Sequence, residues 1–129
     1  MGELAGAKIL VIEDMQELLI FHRRWLGIEK ADFYGSMTGE DGIKTFRETP
    51  GIELVMLDIL LPDMHGLEVL RQLRLINPDI PIVVCSGYNE TMNELMEYPK
   101  VCFVSKPFVL PELRKTMVEM SGRHVAVPQ

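Results

Sequence analysis

Five short apolar runs recur along the chain at 8–12, 31–36, 54–57, 80–85 and 101–104, each followed by polar residues and then by helical spacing. Apolar character that is continuous rather than alternating marks strands buried on both faces, as in a parallel sheet. The second run is the weakest, diluted by Gly35. Between the runs, apolar residues return every three or four positions. Leu18, Phe21 or His22, and Trp25 predict a first helix, with Gly27 suited to its end. Residues 40–48 predict a second, carrying Ile43, Lys44 and Phe46 and closed by Pro50-Gly51. Leu67, Leu70, Leu73 and Ile76 form the stripe of a third. Gly66 loosens the turn before that helix, and Asn77-Pro78 stops it. Asn89 suits the cap of a short fourth helix with Met92, Leu95 and Met96 inward, closed by Tyr98-Pro99. Pro111 opens a fifth, with Leu113, Met117 and Met120 facing in.

Strand and helix thus alternate five times, which implies an α/β fold: a doubly wound five-stranded parallel sheet with right-handed crossovers. The order 2-1-3-4-5 puts the switch point between the first and third strands, and ligand chemistry gathers beyond the strand carboxyl ends. The 129 residues read as a single domain with a core at about 7–121 and a tail or linker at 122–129. The segment 1–7 reads as a small, polar start or linker.

Composition narrows the function. Apolar residues at 47% and charged residues at 25% describe a globular chain. A net charge of -6 argues against direct nucleic-acid binding. No apolar run approaches the roughly 18–20 residues that cross a bilayer, so no membrane association is expected. Cys85 and Cys102 sit inside apolar runs without zinc spacing, as small hydrophobes of a reducing cytoplasm would. His22 reads as a flank of the first helix rather than a ligand.

Four strand ends carry polar groups: Glu13-Asp14, Asp58, Ser86 and Lys106. Each has a plain reading alone: Asp14 as a helix cap, Ser86 as a turn residue, Lys106 as a solvated lysine. Together they describe a site. Converging carboxylates repel one another unless a cation joins them, and hard oxygen donors without His or Cys favour Mg²⁺. Lys106 adds a movable positive charge and Ser86 a hydroxyl donor. A carboxylate surrounded this way suits a phosphoryl group, with Asp58 as nucleophile.

The stretches Ile9-Leu10-Val11-Ile12-Glu13-Asp14, Leu57-Asp58-Ile59-Leu60-Leu61-Pro62-Asp63-Met64-His65-Gly66, Val84-Cys85-Ser86-Gly87 and Val104-Ser105-Lys106-Pro107-Phe108 carry a resemblance. Over about residues 7–121 the chain resembles a two-component response-regulator receiver domain, with the flavodoxin-like receiver fold. The resemblance implies that Asp58 takes a phosphoryl group from the phosphohistidine of a histidine kinase or phosphotransfer protein. It implies Mg²⁺ held by Asp14, by Glu13 through water, by Asp58 and by the Leu60 carbonyl. Ser86 and Lys106 would bind phosphoryl oxygens, Phe103 would be the aromatic switch, and the Lys106–Pro107 bond would be cis. Such a domain is not an enzyme beyond its own phosphorylation and slow dephosphorylation. Its output partner meets the face of the fourth helix, fifth strand and fifth helix. The phrasing around Ser86-Gly87-Tyr88 and Lys106-Pro107-Phe108 resembles the receiver of a hybrid histidine kinase.

Two departures stand out. Phe103 lacks a tyrosine's hydroxyl, and the short interval from Ser86 to Lys106 shrinks the fourth helix, which alters the face used for dimerisation. Leu60 and Tyr88 stand where water would approach a phosphorylated Asp58, so the phosphorylated state is expected to be long-lived. Other readings fit less well. A haloacid-dehalogenase-type phosphatase would want an acid at Leu60, and an FMN carrier would want a hydroxyl-rich phosphate loop where Glu13-Asp14 stand. A receiver-like interaction module that is never phosphorylated is the remaining alternative.

Overall fold

In the computed structural model, which describes residues 2–87, 92–95 and 97–123, the apolar runs become five parallel strands. In chain order the elements are β1 Lys8–Ile12, α1 Gln16–Ile28, β2 Asp32–Ser36, α2 Gly39–Glu48, β3 Leu54–Leu57, α3 Gly66–Ile76, β4 Ile82–Ser86, α4 Met92–Leu95, β5 Val101–Ser105 and α5 Leu110–Ser121. The sheet order is β2-β1-β3-β4-β5, as the alternation predicts. Because side chains alternate across a strand, each central strand feeds two cores. Leu10, Ile12, Val55, Leu57, Ile82 and Val84 meet Ile43 and Phe46 of α2, Leu67, Leu70 and Leu73 of α3, and Leu95 of α4. Ile9, Val11, Leu54, Met56, Val83 and Cys85 meet Trp25 and Leu26 of α1 and Leu113, Met117 and Val118 of α5.

Local chemistry departs from the sequence reading in several places. Gly27 does not end α1. The helix runs on to Ile28, and Lys30 takes the left-handed turn at φ 63°. Lys30 N–H donates to Gly27 O and Ala31 N–H to Leu26 O, the paired bonds of a Schellman ending. Gly66 serves close approach rather than a loose turn. It is the first residue of α3, and a Cβ there would stand 2.6 Å from Ile59 Cα. The second and fourth strands begin one and two residues later than expected. Pro81, lacking an N–H, stands just before β4.

The termini are also better anchored than their composition suggests. Leu4 is fully buried in the α1/α5 core, so the segment before β1 joins the fold. Arg114 donates to Glu3 at 2.6 Å and to Glu29 at 2.8 Å, tying that segment and the end of α1 to α5. Arg123 grips Glu53 through two bonds of 2.6 and 3.0 Å and reaches the Ala5 carbonyl. The expected cap at Asn89, the side chains of Tyr88, Met92 and Met96, and residues 124–129 lie outside the described residues. Cys85 is buried, Cys102 half-buried, and both are free thiols. No helix among the described residues is long and apolar enough to cross a membrane.

His22 is not a flank of α1 but part of its buried face, 1% exposed, with Nδ1 accepting from Trp25 Nε1 at 3.0 Å. Burial, helped by the Lys106 charge, lowers its pKa from 6.5 to about 4. The unfolded chain therefore binds the imidazole proton more readily. The stability from neutral His22 is whole above pH 6.5 and fades as pH falls toward 4, by roughly 3 kcal/mol. His22→Gln keeps an acceptor for Trp25 but cannot titrate. Urea denaturation of both proteins from pH 7 to pH 4 should show a smaller loss in the variant; parallel curves would contradict the assignment.

Candidate functional site

The rim residues stand one step past their strands, and the neighbouring strand's last carbonyl pins each backbone. Glu13 N–H donates to Ser36 O, Asp58 N–H to Ile12 O and Lys106 N–H to Ser86 O, at 2.9–3.0 Å. The ladder thus continues just far enough to aim three side chains across the sheet's carboxyl edge. One carboxylate oxygen from each of Glu13, Asp14 and Asp58 lies within 4.8 Å of the others. Glu13 and Asp58 are buried, while Asp14 is exposed. Lys106 Nζ donates to Glu13 Oε1 at 2.9 Å and sits 3.5 Å from Asp58 Oδ2. Ser86 closes β4 and is buried, and its carbonyl is the one that accepts from Lys106 N–H. The Lys106–Pro107 bond is cis.

The plain readings of these residues lose ground. The N-cap of α1 is Met15, without a side-chain cap bond, so Asp14 is not spent on capping. Lys106 is paired rather than solvated, its side chain 23% exposed. Leu60 is 57% exposed, and its amide donates to Asp58 Oδ1 at 3.3 Å. Phe103 is half-buried and packs against the α2/α3/α4 core. The described part of the fourth helix is short, four residues, in keeping with the short interval before Lys106.

Electrostatics at the rim are unbalanced. Burial, and then the Asp58 charge, push Glu13 up to about 7 against the pull of the Lys106 and Met15 hydrogen bonds. Burial works against the Lys106 ammonium, but Glu13 and Asp58 outweigh it and hold its pKa above the ordinary value. With all three carboxylates ionised, one ammonium would leave two negative charges uncompensated. A divalent cation matches that deficit. The donors are all oxygen, as Mg²⁺ prefers at about 2.0–2.1 Å, and the cluster is compact enough to close on it. The residues present therefore fit the metal that the sequence suggests.

Sequence reasoning missed the supports of the loop that follows Asp58. Asp63 accepts from Gly39 N–H and Glu40 N–H, both at 2.8 Å, so it caps α2 from across the fold. Slight desolvation opposes ionisation, but those two amides prevail and hold Asp63 below its ordinary pKa. His65 Nδ1 accepts from Leu67 N–H and caps α3. Leu60 pairs with His65 in an isolated bridge that closes the loop. A cap normally precedes its own helix by a residue. One reaching back 23 or 24 positions leaves no local signal.

The comparisons agree with this geometry. The model of the response regulator receiver domain family matches residues 9–118. The chain belongs to that family, a receiver domain of two-component systems. It is 31% identical over 122 residues to the sensor kinase CckA of Brucella abortus, covering 92% of this chain and 13% of that protein. It is 33% identical over 109 residues to the response regulator ArlR of Staphylococcus saprophyticus, covering 82% of this chain and 48% of that one. The chain thus spans less than half the length of these relatives. The Thermotoga maritima response regulator TrrA, solved in complex with Mg²⁺-BeF, superposes with a TM-score of 0.80 at 26% identity. That match covers 88% of this chain and 98% of the other.

Asp63→Ala removes both bonds to the N-terminus of α2 while leaving Thr38, whose hydroxyl still accepts from Asp41 N–H. Urea denaturation should report a loss of about 1 kcal/mol, the usual value of a helix cap. An unchanged midpoint would show that the clamp contributes nothing.

Proposed function

We propose that Asp58 is the phosphoacceptor of a two-component phosphorelay. An Asp58 carboxylate oxygen attacks the phosphorus of a partner's phosphohistidine. The phosphorus–oxygen bond to Asp58 forms as the phosphorus–nitrogen bond breaks, and the imidazole departs with the partner. The observation that carries this reading is the ammonium of Lys106 poised between Glu13 and Asp58 at a rim that still holds excess negative charge. Glu13, Asp14, Asp58 and the Leu60 carbonyl would hold Mg²⁺, Glu13 through water, and bound Mg²⁺ would neutralise charge developing on the phosphoryl oxygens. Lys106 would leave Glu13 for a phosphoryl oxygen, and Ser86 would donate its hydroxyl to another. The resemblance to a protein solved with Mg²⁺-BeF supports the same assignment.

The donor would be a histidine kinase or a phosphotransfer protein, since phosphohistidine is the chemistry Asp58 accepts. The chain itself would be a switch that catalyses only its own phosphorylation and slow dephosphorylation. Phosphorylation would draw Ser86 inward and turn Phe103 with it, changing the face of α4, β5 and α5 seen by an output partner. The likeness to a sensor kinase supports a place as the receiver of a hybrid histidine kinase. A cytoplasmic location follows from that role.

Incubation with acetyl phosphate and Mg²⁺ should label the parent and leave Asp58→Ala unlabelled, because Glu13 and Asp14 would hold the metal and Asp58 alone the phosphoryl group. Excess EDTA should also abolish labelling. Undiminished label in either case would overturn the proposal.

The phosphorylated state should decay slowly, because Leu60 can neither orient nor deprotonate an attacking water and Tyr88 is bulky. Leu60→Asn with Tyr88→Glu should speed decay after donor removal by roughly tenfold to a hundredfold. Equal decay in parent and double variant would show that water access is not limiting.

A further inference from the structure

The receiver chemistry proposed above leaves one buried histidine unused. His22 lies on α1, its Nδ1 occupied by the Trp25 indole N–H at 3.0 Å, so the neutral ring carries its proton on Nε2. Its face stacks on Phe108, ring centres 5.6 Å apart and planes 24° from parallel. Phe21 closes on the same Phe108 ring at 6.2 Å and on His22 edge-on at 5.5 Å. An aliphatic residue at position 22 would fill the volume but would offer Trp25 no acceptor and Phe108 no flat ring.

Phe108 matters because of what precedes it. Lys106 is held on its sheet side by the bond from its N–H to Ser86 O. Beyond it, Pro107 and Val109 are exposed, and only Phe108 turns partly into the core before α5 begins at Leu110. The path of the chain just after the ammonium-bearing residue is therefore set by where the Phe108 ring lodges. That ring lodges against α1, the helix that follows Glu13 and Asp14.

We propose that His22 is a positioning residue for Lys106, acting through the ring of Phe108, with Trp25 fixing the imidazole in the plane that Phe108 stacks on. The inference rests on the reading that Lys106 meets a phosphoryl oxygen. His22 does not touch the acidic rim, so its influence should fall on phosphoryl binding and spare the carboxylates that hold the metal. A merely structural residue would weaken the fold without separating those two affinities.

The test uses the chain with His22→Ala, His22→Phe and Phe108→Leu. Mg²⁺ affinity is measured alone, and beryllofluoride affinity is measured by fluorine NMR at saturating Mg²⁺. His22→Ala and Phe108→Leu should weaken beryllofluoride binding roughly tenfold, a modest misplacement effect, with Mg²⁺ affinity within about twofold of the parent. His22→Phe, which restores a ring for Phe108, should recover beryllofluoride affinity to within about threefold of the parent. Parent-like beryllofluoride affinity in folded His22→Ala, or an equal loss of both affinities, overturns the proposal. If His22→Ala does not fold, Phe108→Leu decides by the same criterion. A parent that binds Mg²⁺ but no beryllofluoride overturns the phosphoacceptor reading, and the inference with it. A parent that binds both while no variant changes overturns the inference alone.

Discussion

The Lys106 ammonium, 2.9 Å from Glu13 and 3.5 Å from Asp58, is the interaction on which the rest of this structure depends. Two buried carboxylates and an exposed third at one edge of a sheet repel each other and lose hydration, and the nearby amides of Met15 and Leu60 offset only part of those costs. One lysine offsets part of it. The remainder shows in Glu13, whose pKa burial raises to about 7. A site left in that condition suits a cation and, once the cation is present, an incoming phosphoryl group.

The fold delivers this arrangement through its topology. Parallel strands place all their carboxyl ends on one edge, and the order β2-β1-β3-β4-β5 sets β1 beside β3 there. Glu13-Asp14 and Asp58 thereby become neighbours although 44 positions separate Asp14 from Asp58 in the sequence. Close packing then limits how the loops can move. Gly66 lets α3 press against the backbone of Ile59, directly after Asp58. Asp63 ties the same loop to the first turn of α2, and Phe108 ties the chain after Lys106 to α1. Three helices on both faces of the sheet are thus coupled to the two sides of the acidic site.

The central strands were readable because a strand buried on both faces has only apolar positions to show, as 9–12 and 54–57 do. The rim was readable because each polar residue comes one or two positions after an apolar run. What escaped had its cause elsewhere in the chain. Lys30 adopts the left-handed turn in a place where Gly27, the last residue of the helix but one, looked the better stop. Leu4 is a lone apolar residue among small ones, and nothing in its neighbourhood reveals that the α1/α5 core receives it. Arg123 belongs to the fold through Glu53, 70 positions away. His22 looked like a flank because helical spacing admits Phe21 or His22 as the inward residue, and the Trp25 bond that selects His22 depends on the packed helix.

The central claim is that Asp58, and no other carboxylate of the rim, carries the phosphoryl group. Borohydride reduces an aspartyl phosphate to homoserine and leaves free carboxylates untouched, so it marks the acceptor covalently. Peptide mapping after acetyl phosphate, Mg²⁺ and borohydride should find homoserine at position 58 alone. Homoserine at position 14, reduction of Glu13, or no reduced residue at all would contradict the account.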